Sequence, residues 1–376
     1  MTWALLTGEY PPQPGGVSDY TRLIARGLAN GGQQVHVWAP ATAGPPSDDR
    51  GVTVHRLPGH FGPRALRLLD ADLNRLPAPR RVLVEYVPHA FGWKAMNLPF
   101  CLWLGSRRRD TIWSMFHEVA FPLGWNQPAS HNVLGLMTGC MARLVAGASE
   151  RIFYSTTAWL PQLERFAGRA EKTWLPVPSN LSETVEECAV ARARARLSGH
   201  PGSAVVGHFG TYSPKGHGLL MDVFASVLDS DGGNTALFAG RGSIAFRDGF
   251  IGRMPSQAHR VHAIETACPK TLSAHLAACD VLVQPYPDGV TTRRASLMAS
   301  LALGKAIVTN SGRLTEALWK ESATVALVEG LSPQAIAHIV LELLGSDARR
   351  SQLGSRAAAL YADRFALSHT LKALAS

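Results

Sequence analysis

Two consecutive arginines, Arg293 and Arg294, follow a polar glycine loop, Asp288-Gly289-Val290-Thr291-Thr292, and open a helical pattern that Gly304 stops. Guanidinium groups are permanently charged, and a helix N-terminus adds unpaired backbone N–H groups and the positive end of its dipole. Together they suit an anion in the crevice beside the loop, and a nucleotide diphosphate is the expected one. Apolar runs bracket this stretch, Val281-Leu282-Val283 before it and Ala306-Ile307-Val308 after it, and both read as buried strands. A second glycine loop lies near the start, Gly8-Glu9-Tyr10-Pro11-Pro12-Gln13-Pro14-Gly15-Gly16, too rich in proline and glycine for helix or strand. It either lets backbone amides approach a ligand or is only a tight turn.

Hydrophobic periodicity supplies the elements that must hold these loops. Strands are expected at 3–7, 35–38, 52–57, 81–86, 111–116, 151–154 and 172–176, with helices at 17–30, 64–76, 97–106, 132–147 and 156–166 between them. A second series has strands at 205–209, 235–238, 261–264, 281–283 and 306–308, and helices at 217–228, 270–278, 293–303, 333–344, 348–360 and 368–375. Alternating strands and helices imply parallel sheets, so the fold class is α/β with two Rossmann-like domains facing across a cleft at the carboxyl ends of the strands. The expected boundaries are 1–180, a polar Ala/Arg/Glu-rich junction at 181–203, 204–365, and a last helix at 366–376, with the C-terminal helices packing back toward the first domain.

The 376 residues favour two domains, and 46% hydrophobic with 17% charged residues describes an ordinary globular chain. No apolar run reaches the roughly 18 residues that cross a bilayer, and the start lacks a basic signal-peptide region, so a cytoplasmic location is expected. Five scattered cysteines without CxxC spacing argue against a disulfide framework or a zinc site. A net charge of +9 permits nucleic acid, an anionic membrane or anionic substrates as partners. No RRM, KH or zinc-finger motif accompanies it, so nucleic acid is not expected.

The glycine loop running into VSDYTRLIARGLANGGQQVHVWAP, His117-Glu118 at a strand end, Lys215-Gly216-His217, Gly240-Arg241-Gly242 and residues 285–310 follow one another in order. In that order they resemble a family-4 retaining glycosyltransferase of the GT-B fold. The resemblance implies that the second half binds a nucleotide-diphosphate sugar, with UDP or GDP as the nucleotide, and that the first half receives the acceptor. It places His117, Lys215 and Asp288 at catalytic positions. Gly15, Gly16, Thr211, Gly240, Gly242, Ile264, Gly289, Val290, Thr291, Thr292, Arg293, Arg294 and Ser296 fall on the donor, and Tyr10, Asp19 and Glu118 on the acceptor. Lys215 would stabilise the departing diphosphate. Thr211 stands where an arginine is common in the family, and Arg293 or Arg294 is expected to replace it. Asp288 and Ser296 stand where the family has two glutamates; Asp288 would accept hydrogen bonds from sugar hydroxyls or serve only as a turn, and Ser296 would meet the ribose.

No metal and no cofactor beyond the donor is implied. Asp70-Ala71-Asp72 falls within an amphipathic helix, Asp229-Ser230-Asp231 in a turn, and His117-Glu118 lacks the second histidine of a zinc-protease helix. Arg64, Arg67, Arg75, Arg80, Arg81 and Arg107 to Arg109, interleaved with Leu66, Leu68, Leu69, Trp103 and Leu104, form either a solvated surface or a face for an anionic membrane. The expected function is transfer of a sugar to a glycan, lipid or small-molecule acceptor. A non-catalytic sugar-nucleotide-binding subunit and a GT-B epimerase are the alternatives.

Overall fold

The structure is a computed structural model that describes residues 1–43, 49–166, 168, 170–198, 202–212, 217–266 and 268–376. The chain divides into two compact units, Met1–Pro176 with Leu367–Ser376, and Val177–Ala366.

In the first unit the strands are β1 (Thr2–Thr7), β2 (Gln34–Pro40), β3 (Val52–Leu57), β4 (Arg80–Tyr86), β5 (Thr111–Phe116), β6 (Arg151–Tyr154) and β7 (Glu171–Trp174). The helices between them are α1 (Gly16–Asn30), α2 (Pro63–Arg75), α3 (Leu98–Ser106), α4 (Ala129–Ala148) and α5 (Leu160–Phe166). All strand pairs are parallel, in the order β3-β2-β1-β4-β5-β6-β7. Strand order reverses between β1 and β4, and ligands of such sheets bind outside the carboxyl ends at that switch point. The glycine loop leaves β1 there, and His117 follows β5. Where both faces are covered the strand reads as a continuous apolar run: β1 is buried at every position, unlike the edge strands β3 and β7.

The second unit opens with α6 (Glu187–Leu197) and then alternates β8 (Val205–Phe209), α7 (His217–Ser230), β9 (Thr235–Ala239), α8 (Ser243–Arg253), β10 (Val261–Ile264) and α9 (Pro269–Ala277). It continues through β11 (Val281–Gln284), α10 (Ala295–Ala302), β12 (Ala306–Asn310), α11 (Ala317–Glu321) and β13 (Ala326–Val328) to α12 (Pro333–Leu344) and α13 (Asp347–Arg364). Its parallel sheet has the order β10-β9-β8-β11-β12-β13, the same doubly wound pattern. The last helix, α14 (Leu367–Ala375), returns to the first unit: Leu371 packs against Gly27 of α1, and Arg81 Nη1 donates to the Leu374 carbonyl at 2.9 Å.

The α/β class and both Rossmann-like sheets match the expectation; locally, α11 and β13 were not expected, and further readings change. Residues 181–203 contain α6, whose Ala193 and Leu197 are buried with Leu237 and Leu276 of the second unit. Its buried stripe is narrow and its flanks are charged, so its hydrophobic period is weak. Helix α10 begins at Ala295, leaving Arg293 and Arg294 just ahead of it, with Arg294 as the N-cap. Helix α8 was not expected, because its pattern SIAFRDGFIGR carries two interior glycines. Among the described residues no helix is long and apolar enough to cross a membrane.

Candidate functional site

In the second unit, the loop between β11 and α10 is fixed from beneath by a buried carboxylate. Glu316 accepts the Thr292 N–H at 2.7 Å, the Thr292 hydroxyl at 2.6 Å and the Trp319 indole N–H at 2.9 Å. Thr291 and Thr292 are buried, and Val290 donates its N–H to the Asn310 carbonyl at 3.0 Å. Gly289 has φ +87°, and a Cβ there would lie 2.3 Å from the Gly312 nitrogen, so this turn admits only glycine. Asp288 is partly exposed and faces cations, with Arg313 Nη2 at 3.3 Å and Arg293 Nη2 at 3.6 Å. Its carboxylate is therefore a tether for two guanidinium groups as well as a turn residue.

Arg294 lies over the Tyr286 ring, 4.8 Å from its centroid, and its buried Nε has no hydrogen-bond partner among the described residues. The Tyr286 and Ser296 hydroxyls are 2.9 Å apart, and Tyr286 also sits near Gln284. Burial pushes the Tyr286 phenol up to about 12, against the opposing pull of Ser296 and the Arg294 charge. Ser296 thus rests in a polar chain beneath Arg294, and its hydroxyl already has a protein partner.

The other loops on this edge of the sheet are tied to one another. Gly240, at φ +108°, would place a Cβ 2.2 Å from the Gly210 carbonyl oxygen, and it donates its N–H to the Ile264 carbonyl at 3.0 Å. Gly242 is left-handed at φ +80°, caps α8 and donates its N–H to Glu265 Oε1 at 3.0 Å. Behind them Tyr212 accepts the Ala239 N–H and meets His208, whose imidazole burial drives down to about 3. Thr211 is exposed at the mouth of this group. Lys215, with its neighbours 213–216, lies outside the described residues.

In the first unit, His117 Nε2 lies 2.8 Å from Glu85 Oε2, and the Tyr20 ring meets the imidazole edge-on at 4.8 Å. Glu85 is fully buried on β4 and its other oxygen has no hydrogen-bond partner among the described residues. Burial raises the Glu85 pKa, and the His117 hydrogen bond opposes that rise. The His117 carbonyl is held by the Trp159 indole at 3.0 Å. One imidazole nitrogen is thereby committed to a carboxylate, which fixes the ring's orientation. Glu118 is partly exposed, with His89 Nδ1 at 3.8 Å, and Asp19 is exposed in the first turn of α1.

Two expectations for this unit change. Glu9 Oε1 accepts the N–H groups of both Val17 and Ser18 at 3.0 Å, so the N-terminus of α1 is capped by the chain's own carboxylate. A Cβ on Gly15 would come within 2.1 Å of that carboxylate, which accounts for Gly15 without any donor ligand; Gly16 has open space around it. Tyr10 is fully buried and its hydroxyl donates to Asp49 Oδ2 at 2.9 Å, within an ion-pair group with Arg22 and Arg26. It belongs to the core, not to an acceptor surface.

Glu9, Glu85 and Glu316 were not singled out in the sequence. A glutamate inside the strand RRVLVEY is a legible signal for Glu85, since a charged residue in a doubly covered strand needs a partner. Nothing comparable marks Glu9 or Glu316. Part of the basic set of this unit is taken up internally: Arg107 pairs with Asp70 and Asp110, Arg80 with Asp110, and Arg81 lies 3.6 Å from the Trp113 ring centre, whereas Arg64, Arg67, Arg108 and Arg109 are exposed. No group of three or more His, Cys, Asp or Glu side chains that could hold a metal ion occurs among the described residues.

Residues 15–178 match the family model of the glycosyl transferase 4-like domain, and residues 203–346 match that of glycosyl transferases group 1. No curated protein matches the chain in sequence. Among solved structures, the chain is similar to Anabaena Alr3699/HepE in complex with UDP, at 17% identity and TM-score 0.73 over 100% of this chain and 98% of that one. It is similar to sucrose-phosphate synthase from Thermosynechococcus elongatus at 14% identity and TM-score 0.74, over 100% and 97% of the two chains. WaaG, a glycosyltransferase involved in lipopolysaccharide biosynthesis, matches at 12% identity and TM-score 0.68 over 96% and 95%. At such identities the likeness is one of fold.

Proposed function

Because the chain belongs to the glycosyltransferases of the GT-B type, we propose that it moves a sugar from a nucleotide diphosphate to an acceptor with retention at the anomeric carbon. The observation that carries this reading is the β11–α10 loop, with Arg294 lying over Tyr286 at the start of α10 and Arg293 beside it. As the glycosidic bond breaks, negative charge grows on the diphosphate, and preorganised guanidinium groups stabilise that charge more than the ground state. Arg293 and Arg294 take the part of the arginine that Thr211 replaces, and Lys215 adds a further point charge by resemblance. Asp288, balanced between Arg293 and Arg313, holds the guanidinium groups and accepts from sugar hydroxyls. UDP is the proposed nucleotide, as in the Alr3699/HepE complexes.

No protein nucleophile is needed. The leaving phosphate assists attack on the same face, and the acceptor hydroxyl passes its proton to that phosphate. His117, whose Nε2 lies 2.8 Å from Glu85 Oε2, keeps its role toward a hydroxyl of the reacting sugar by resemblance. Single substitutions Arg293→Ala and Arg294→Ala test the cation role: at least one lowers kcat more than tenfold, and turnover within a few-fold of wild type in both removes it.

The acceptor side is apolar. Phe121, Leu123 and Trp125 in the loop after His117, with Val133 and Leu136 of α4, are exposed, and no Asp, Glu, Lys or Arg occurs in residues 119–142. The surface is nevertheless ordered: Phe121 donates its N–H to Thr138 Oγ1 at 3.1 Å, and Gly124 to Asn132 Oδ1 at 3.0 Å. Such a patch, tipped by a fully exposed tryptophan on a unit rich in cations, supports a lipid-borne acceptor at an anionic bilayer. Flotation with phosphatidylglycerol vesicles, lost in Trp125→Ser/Leu123→Ser, is expected; equal flotation of both proteins contradicts it.

A further inference from the structure

Away from the loops just described, α6 and α9 of the second unit enclose a groove of about 430 Å³. Its floor is apolar, with Val185, Ala189, Ala193 and Ala274, and its walls carry Arg192 and Arg196 from α6 and Lys270 and His275 from α9. Glu186 is the one carboxylate in the lining. The three arginines of α6 divide sharply by role. Arg194 is a structural residue, bonded to Asp280 Oδ2 at 2.6 Å, the Ala278 carbonyl at 2.8 Å and the Ser203 carbonyl at 2.6 Å. Arg192 and Arg196, one helical turn apart, have no ion pair among the described residues, and neither has Lys270. Like charges at that spacing repel one another, so holding them in one groove costs stability unless an anion lies between them.

Lys270 and Thr271, which line the groove, stand in the first turn of α9. Their capacity to stabilise negative charge has an internal indicator: the exposed thiol of Cys268, the N-cap, has its pKa lowered by hydrogen bonds from Thr271 and Lys270 and by the Lys270 charge. A groove of this volume lies within the roughly 300–1,000 Å³ of small-molecule sites. None of the residues assigned to the donor lines it.

We propose that this groove binds a small phosphorylated molecule, its phosphate held by Arg192, Arg196 and Lys270 and its organic part laid on Val185, Ala189 and Ala193, as a second anion site independent of the donor. Inorganic pyrophosphate is the probe, titrated calorimetrically into the full-length protein at 150 mM salt. Three double variants are compared with wild type: Arg192→Gln/Arg196→Gln, Arg293→Gln/Arg294→Gln, and Arg108→Gln/Arg109→Gln as a surface-charge control. All six arginines are partly or fully exposed, and circular dichroism checks that each variant is folded. The site predicts a binding event that weakens at least tenfold in the α6 variant alone and persists in the other two. Binding that is lost only in the Arg293/Arg294 variant, that falls equally in the Arg108/Arg109 control, or that is undetectable in wild type overturns it. Failure here leaves the transferase reading intact, because turnover is not the readout.

Discussion

Glu9 and Gly15 are coupled through one hydrogen-bonded cap. The Glu9 carboxylate satisfies two N–H groups at the start of α1, and it lies where a side chain on Gly15 would point. Gly15 itself is extended, at φ 177°, so alanine is not strained there by its backbone. Gly15→Ala should therefore act by dislodging Glu9, costing about 1 kcal/mol, the usual value of a lost N-cap. Glu9→Ala should cost the same, and the double substitution no more than either alone; additive losses in urea unfolding would show that the two do not share a mechanism. Glu85 makes a second prediction. Its folded pKa is raised by burial, so its contribution to stability is present at low pH and lost as pH rises through the folded pKa. Glu85→Gln should then gain in relative stability from about pH 4 upward, since an ordinary glutamate titrates near 4.3. A melting temperature with identical pH dependence in both proteins would contradict the shift. Glu85→Ala, which removes the His117 partner outright, should lower turnover at least tenfold.

Between residue and domain, Glu316 is the centre of the second unit's loop structure. It reaches Thr292 twice and Trp319 once, so that α11 and the β11–α10 loop move together. Glu316→Ala would leave three buried donors without their acceptor, a loss of about 2–4 kcal/mol on the scale of buried polar groups. Chemical denaturation measures the loss, and donor KM should rise with it as the loop loosens; an unchanged KM would mean that the loop's shape does not depend on this carboxylate. Legibility at this scale was uneven for physical reasons. Strands such as β3, β5 and β8 were readable to the residue because β-branched and aromatic runs end at turns. The start of α10 was misplaced by two residues because Arg293 and Arg294 are good helix formers that here stand in the turn preceding the helix. Glycines at 240 and 289 were legible as turn residues. What they approach, the Gly210 carbonyl and the Gly312 amide, is a tertiary fact that no local pattern carries.

Across the whole molecule, the chain folds as two doubly wound sheets, and its last ten residues go back to the first of them. Helix α14 is bound there by buried Leu374 and by Arg81, which donates to the Leu374 carbonyl, while Arg151 Nη1 reaches the Ser376 hydroxyl at 2.8 Å. Burying a leucine is worth about 1.5–3 kcal/mol, so removing residues 367–376 should lower the first unit's unfolding temperature by about 5 °C or more in calorimetry. A transition left in place would mean that α14 contributes nothing to that unit. The central proposal is that cations and a glycine loop of the second unit hold a nucleotide diphosphate. Isothermal titration of UDP into wild type and into Arg294→Gln tests it most directly. Saturable one-to-one binding in wild type, weakened at least tenfold by the substitution, is the predicted result; equal affinity in the two proteins, or no binding of UDP, GDP or ADP by wild type, would contradict it.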